Sequence, residues 1–155
     1  MGWIVDGIGA SGRGRAKMIR ILLVEHDERA ADFLSDRLRR HGHEVLIALD
    51  GEAAVTTTRS GRPHLLLLSM DIPVLDALSV ASAIRADVNT QSTPIIALAP
   101  FSDADDRSKA ILAGCTECHP EPIDFLRLLE RIEHHTRRPE TELKAPESET
   151  PTLAV

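Results

Sequence analysis

The sequence predicts an α/β fold, a (βα)5 doubly wound parallel five-stranded sheet, and two observations carry that reading. Apolar runs of four to six residues recur at regular spacing, and each is followed by an amphipathic segment of helix length. One run, Leu65 to Leu68, is apolar at every position, which suits a strand covered on both faces. Alternating strands and helices force parallel pairing, because each strand returns through a right-handed helical crossover. Ligands of such sheets bind beyond the carboxyl ends of the strands.

The strands are expected at Ile19 to Val24, Glu44 to Ala48, Leu65 to Leu68 and Pro94 to Leu98, with a weak fifth near Cys115 to Cys118. Helix signals fill the gaps. Asp27 can cap a helix with Phe33, Leu34 and Leu38 on one face; Arg39, Arg40 and His41 favour its C-terminal dipole and Gly42 stops it. Asp50 caps a second helix, ended by Gly61. Leu78, Ala81, Ile84 and Val88 mark the third, Asp103 caps a fourth ended by Gly114, and Phe125, Leu128, Leu129 and Ile132 line the fifth.

At 155 residues, with 43% hydrophobic and 27% charged side chains, the chain suits one domain with a core of ordinary size. That domain is expected over residues 19–138. Residues 1–18 are rich in glycine and arginine and residues 139–155 in Pro, Glu, Thr and Ser; both read as disordered tails. Met18 directly precedes the first strand, so it competes with Met1 as the natural start. The formal charge of -6 argues against a general nucleic-acid binder, which needs a basic stripe. No apolar run approaches membrane-spanning length and the start is a poor secretory signal, so no membrane partner and a cytoplasmic location are expected.

From Ile19 to Arg138 the chain resembles a response-regulator receiver domain, the phosphoacceptor module of two-component signalling, with its flavodoxin-like fold. The resemblance rests on ILLVEHDE after the first strand, RPHLLLLSMDIPVLDAL across the third, TPIIALAPF at the fourth, and AGCTECHPEPIDFLRLL from the fifth strand into the last helix. It implies a chemistry of five groups. Two acids after strand one and an Asp ending strand three hold Mg²⁺; that Asp takes the phosphoryl group, a Thr or Ser after strand four bonds it, and a Lys before a Pro neutralises it.

Carried over by position, Glu25 matches the first acid, but His26 stands for the second, Ser69 for the phosphoacceptor, Ala99 for the hydroxyl and Glu121 for the Lys. The aromatic switch of the fifth strand is Cys118. A neutral Ser cannot form an acyl phosphate, and Glu121 puts negative charge where a phosphoryl oxygen needs positive. Such a degenerate pseudo-receiver is expected to bind no metal or cofactor. Asp71, two residues after Ser69, is a conceivable substitute acceptor, but a two-residue displacement of the reactive carboxylate is hard to accommodate. Since the charge types are exchanged, a His26 to Glu121 contact could join the two loops; the alternative is that both side chains point into water.

Two short motifs compete. Cys115, Cys118 and His119 spell a haem-attachment pattern, but no exporting signal or helical haem pocket accompanies it, and on a strand the two thiols would point to opposite faces. Gly7, Gly9 and Gly12 match a dinucleotide fingerprint, yet a strand rather than a helix follows.

The function expected is that of a stand-alone receiver in a phosphorelay that acts by binding protein, not by catalysis. The resemblance implies a partner face built from the fourth helix, fifth strand and fifth helix, with Asp103, Asp105, Asp106, Arg107, Lys109 and Cys118 on or near it. A histidine kinase, another regulator or a scaffold are the candidate partners. Two other readings stay open: a sensor of a nucleotide second messenger, using the vestigial pocket or Arg137 and Arg138, and a phosphoacceptor using Asp71.

Overall fold

The structure is a computed structural model that describes residues 18–137 apart from 74 and 101–103. Strands β1 (Arg20–Val24), β2 (Glu44–Ala48), β3 (Leu65–Ser69), β4 (Ile95–Ala99) and β5 (Glu117–Pro120) alternate with helices α1 (Glu28–Arg40), α2 (Gly51–Gly61), α3 (Ala77–Ala86), α4 (Ala104–Ala113) and α5 (Phe125–Thr136). The sheet runs β2-β1-β3-β4-β5 and every pair is parallel. The tails, Asp103 and Arg138 lie outside the described residues.

Alternation along the strands divides the core in two. Leu22, Val24, Leu66, Leu68, Ile95 and Ala97 pack beneath α2, α3 and α4, whereas Ile21, Leu23, Leu65, Leu67, Ile96 and Leu98 pack beneath α1 and α5. Leu65 to Leu68 are completely buried, as a strand with helices on both faces requires, and each such side chain contributes about 1.5–3 kcal/mol. Asp27, Asp50, Asp76 and Asp124 accept hydrogen bonds from the first-turn amides of α1, α2, α3 and α5.

Several local expectations are corrected. Phe33 is 67% exposed, because the stripe of α1 that faces the sheet is Ala31, Leu34, Ser35 and Leu38, at helical spacing that leaves Phe33 to one side. Val88 is likewise exposed, beyond the end of α3, whose buried stripe is Ala77, Val80, Ala81 and Ile84. α2 does end at Gly61, as expected, and the left-handed conformation falls on the next residue, Arg62, at φ 48°, whose amide donates to the Thr58 carbonyl. A Cβ at Gly61 would come within 2.9 Å of Leu46 Cδ1, a side-chain end that can shift. Gly42 and Gly114 do have positive φ just past α1 and α4.

The fifth strand starts two residues later than expected, at Glu117, because Cys115 is still tied by its amide to the Ala110 carbonyl at the end of α4. Strand alternation therefore does not connect the cysteines. Cys115 lies within the α2–α3–α4 side of the core and Cys118 packs against that same side, so they do not point to opposite faces. Burial pushes the Cys115 thiol up to about 11 and raises Cys118 as well, which disfavours the thiolates that metal or redox chemistry would need.

On the opposite face of β5, His119 is buried and its Nε2 has no hydrogen-bond partner among the described residues. Burial, reinforced by Arg127, lowers its pKa, while Asp124 and Glu117 oppose the shift. Below the unfolded value of about 6.5 the unfolded chain takes up a proton that the folded chain accepts only at lower pH, so stability falls as pH drops from there through the folded pKa. Replacing the orphaned ring by an apolar group removes that loss. Urea melts of His119→Leu should show a gain of about 1 kcal/mol at pH 5 and a shallower acid slope than the parent. His43, also lowered by burial, retains part of the slope. Parallel pH profiles for the two proteins would refute the assignment.

Candidate functional site

Parallel register brings the ends of the strands to one edge. Val24 aligns with Leu68, Ser69 with Leu98 and Ala99 with Pro120, so Glu25, Ser69, Ala99 and Glu121 all lie at the carboxyl end of the sheet. The backbone closes the edge, with the Glu25 amide donating to Ala48 O and the Glu121 amide to Ala99 O, at 3.0 and 2.9 Å. The Glu121–Pro122 peptide is cis.

Ser69 is only 5% exposed, and its Oγ accepts from the Asp71 amide at 3.4 Å. Asp71 itself is exposed. Glu25 is half-buried and accepts the Asp27 amide at 3.0 Å, which fixes its carboxylate at the start of α1. His26 is exposed, and among the described residues no hydrogen bond or ion pair joins it to Glu121. Of the two alternatives left open for the exchanged charges, the contact is not formed, and His26 alone is exposed. Glu121 is surrounded instead by its own sign: burial raises its pKa first, and Glu25 and Asp71 raise it further. Among the described residues no set of three or more metal-ligating side chains is gathered to hold an ion.

The chemistry open to this edge follows from those charges. It offers a buried hydroxyl in place of a carboxylate at the strand-three end, and Glu121 feels the like charge of Glu25 and Asp71. Like charge of this kind disfavours a further anion beside Glu121.

A groove of about 270 Å³ adjoins the acidic edge, between α1 and the segment from Glu121 into α5. Glu25 and Glu121 line it, together with Ala30, Phe33, Leu34, Pro122, Ile123 and Phe125. Arg37 closes it, its guanidinium 4.0 Å from the Phe125 ring centre and 5.7 Å from that of Phe33. Sequence reasoning missed this feature because it placed Phe33, one of only three phenylalanines, on the buried face of its helix.

The other sequence-derived residues lie elsewhere. Asp105, Asp106, Arg107 and Lys109 are on the exposed side of α4, where Lys109 pairs with Asp105 at 3.4 Å, and Cys118 Sγ reaches the Arg107 carbonyl at 4.0 Å. Leu112 and Ile111 add exposed apolar surface to the same helix. Arg137 caps the far end of α5, about 18 Å of helix from the groove, so the structure does not bring it to the strand-end pocket.

Comparison with known proteins bears on the whole fold. The sequence profile of the response regulator receiver domain matches residues 21–133. The transcriptional regulatory protein PrrA of Mycobacterium tuberculosis is 34% identical over 119 residues, which make up 77% of this chain and 50% of that protein. The chain thus spans about half the length of the curated relatives it matches. Among solved structures, the receiver domain of the sensor histidine kinase PA1611 from Pseudomonas aeruginosa, with a magnesium ion in its active-site cleft, superposes with a TM-score of 0.73 at 29% identity, covering 79% of this chain and all of that one. The Ssk1 receiver domain from Saccharomyces cerevisiae, crystallised with the histidine phosphotransfer protein Ypd1, gives 0.71 at 25% identity, covering 78% and 90%.

Proposed function

The chain belongs to the response regulator receiver domain family of two-component signalling, and from that premise we propose that it signals without accepting phosphate, by binding a protein partner. The observation that carries this reading is the buried hydroxyl of Ser69 at the end of β3, where an acceptor carboxylate is expected, with Glu121 at the end of β5 in place of a cation. A receiver shifts between states because a phosphoryl group contributes differential free energy to one of them. Here a buried hydroxyl stands where the acceptor carboxylate would be, and Glu121 puts negative charge where a phosphoryl oxygen needs positive. Partner affinity is then set by the sequence of the binding surface.

A histidine kinase or phosphotransfer protein is the partner class that fits, by analogy with the Ypd1 complex. The exposed side of α4 is one surface suited to it. Asp105, Asp106, Arg107 and Lys109 supply charge there, Ile111 and Leu112 apolar area, and Cys118 lies beside them.

The test is incubation with acetyl phosphate and Mg²⁺, read by intact mass and amide spectra. Neither should change. A hydroxylamine-labile phosphoryl adduct, lost in Asp71→Ala, would sink the proposal and make Asp71 the acceptor.

A further inference from the structure

We propose that His43 and His64 form an acid-released clasp on the entrance of β1, so that a fall in pH frees the first residues of that strand from both of its neighbours. The clasp lies at the end of the sheet opposite Ser69 and Glu121, and it operates whether or not that edge takes phosphate.

Two hydrogen bonds carry the inference. In the order β2-β1-β3, consecutive amides at the entrance of β1 point to opposite neighbours. The Ile19 amide donates to His43 Nδ1 at 3.4 Å on the β2 side, and the Arg20 amide donates to His64 Nδ1 at 2.9 Å on the β3 side. A ring nitrogen thus takes the place of a ladder carbonyl on each side. The rungs beside them are backbone ones, from the Glu44 amide to Ile19 O at 2.9 Å and from the His64 amide to Arg20 O at 2.8 Å. Ile19 and His43 are both buried, so an amide that loses its ring acceptor there is costly to leave unpaired.

Acceptance at Nδ1 fixes the chemistry. A ring nitrogen accepts only when it carries no proton, so the geometry requires each imidazole to be neutral with its proton on Nε2. A second proton turns Nδ1 into a donor facing an N–H donor, and the bond gives way to repulsion. On His43 that proton also brings charge into a buried place, whereas the exposed His64 ring is open to solvent. Burial, with His41 beside it, lowers the His43 pKa. The clasp is therefore closed at neutral pH, and its contribution is lost as pH falls from the unfolded value of about 6.5 through the folded pKa.

The charged groups around the clasp are held by other contacts. Arg20 pairs with Glu44 at 3.1 Å and donates to Gly61 O at 2.8 Å, Arg39 at the end of α1 donates to Val45 O at 2.9 Å, and His41 Nδ1 lies 3.1 Å from Arg37 O. None of these uses a nitrogen of His43 or His64. When the clasp opens, the Arg20 side chain still tethers the strand to β2 and α2, so the entrance loosens without the sheet coming apart.

The experiment is amide hydrogen exchange by NMR on the full chain, corrected for intrinsic rates, with imidazole nitrogen spectra recorded alongside. Between about pH 7.5 and pH 5, protection of the Ile19 and Arg20 amides should fall at least about fivefold more than that of Leu66 in the middle of β3. The Leu66 reference accounts for the acid loss that His119 imposes on the whole fold. In the double variant His43→Asn with His64→Asn, a side-chain oxygen still accepts but takes up no proton, so the excess should shrink to within about twofold. The parent's own spectra should show His43 Nδ1 bare at neutral pH and gaining its proton in step with the loss of Ile19 protection, a reading that needs no variant. Equal pH responses of Ile19, Arg20 and Leu66, a folded double variant that keeps the parent's excess, or a protonated His43 that leaves Ile19 protected would overturn the proposal.

Discussion

The variant carrying His26→Asp, Ser69→Asp, Ala99→Thr and Glu121→Lys is expected to take up one phosphoryl group from acetyl phosphate in Mg²⁺, where the parent takes none. The four substitutions supply what the resemblance says is lost: the second acid, the acceptor, the hydroxyl and the cation. Ser69 and Ala99 already lie together at one sheet edge, because the parallel register aligns Ser69 with Leu98 and Ala99 with Pro120. Glu25 is already held by the Asp27 amide. Glu121→Lys does the most electrostatically, since it replaces repulsion from Glu25 and Asp71 by attraction. The set lacking Ser69→Asp should stay unmodified, and mass spectrometry distinguishes the outcomes. A folded quadruple variant that accepts no phosphate would show that the defect lies outside these positions.

The second large effect concerns stability, and Arg85 is its source. From α3 its guanidinium donates to the carbonyls of Gly114, Gln91 and Thr93, at 2.9, 2.9 and 2.6 Å, and to Thr116 Oγ1 at 3.2 Å. Thr116 Oγ1 in turn accepts the Ile95 amide at the start of β4. One side chain therefore ties α3, the loop before β4, the end of α4 and the approach to β5. Arg85→Ala leaves those acceptors short of a donor and removes the stem that packs beside Gly114, so a loss of about 3 kcal/mol in urea denaturation is expected. Arg85→Lys should recover less than half, because an ammonium cannot span the fork of acceptors. A loss under about 0.5 kcal/mol for the alanine variant, the level of an ordinary surface change, would refute the assignment.

Much of the fold was legible because its determinants are local or periodic. Leu65 to Leu68 announced a strand covered on both faces, and Asp27, Asp50 and Gly114 marked helix ends by chemistry that acts within a few residues. The positions of Glu25, Ser69, Ala99 and Glu121 at one edge were equally legible, since a parallel (βα)5 order puts every strand's end on the same side.

What the sequence determined by itself is thus the architecture and the residue types at the strand ends: a receiver sheet with Ser69 and Glu121 at positions where an Asp and a Lys are expected. Only the tertiary structure decided which side chains meet. Charge type alone allowed His26 to pair with Glu121, but the loops set Glu121 with Glu25 and Asp71 and leave His26 in solvent. A spacing of three allowed the cysteines to face apart, but the tie of Cys115 to Ala110 turns both toward the same side of the core. Phe33 looked like core until α1 docked with another stripe inward, which brought its ring to Arg37 and the start of α5. Contacts of this kind depend on loop paths and helix rotation, and those are fixed by packing between elements far apart in the chain, which no local pattern encodes.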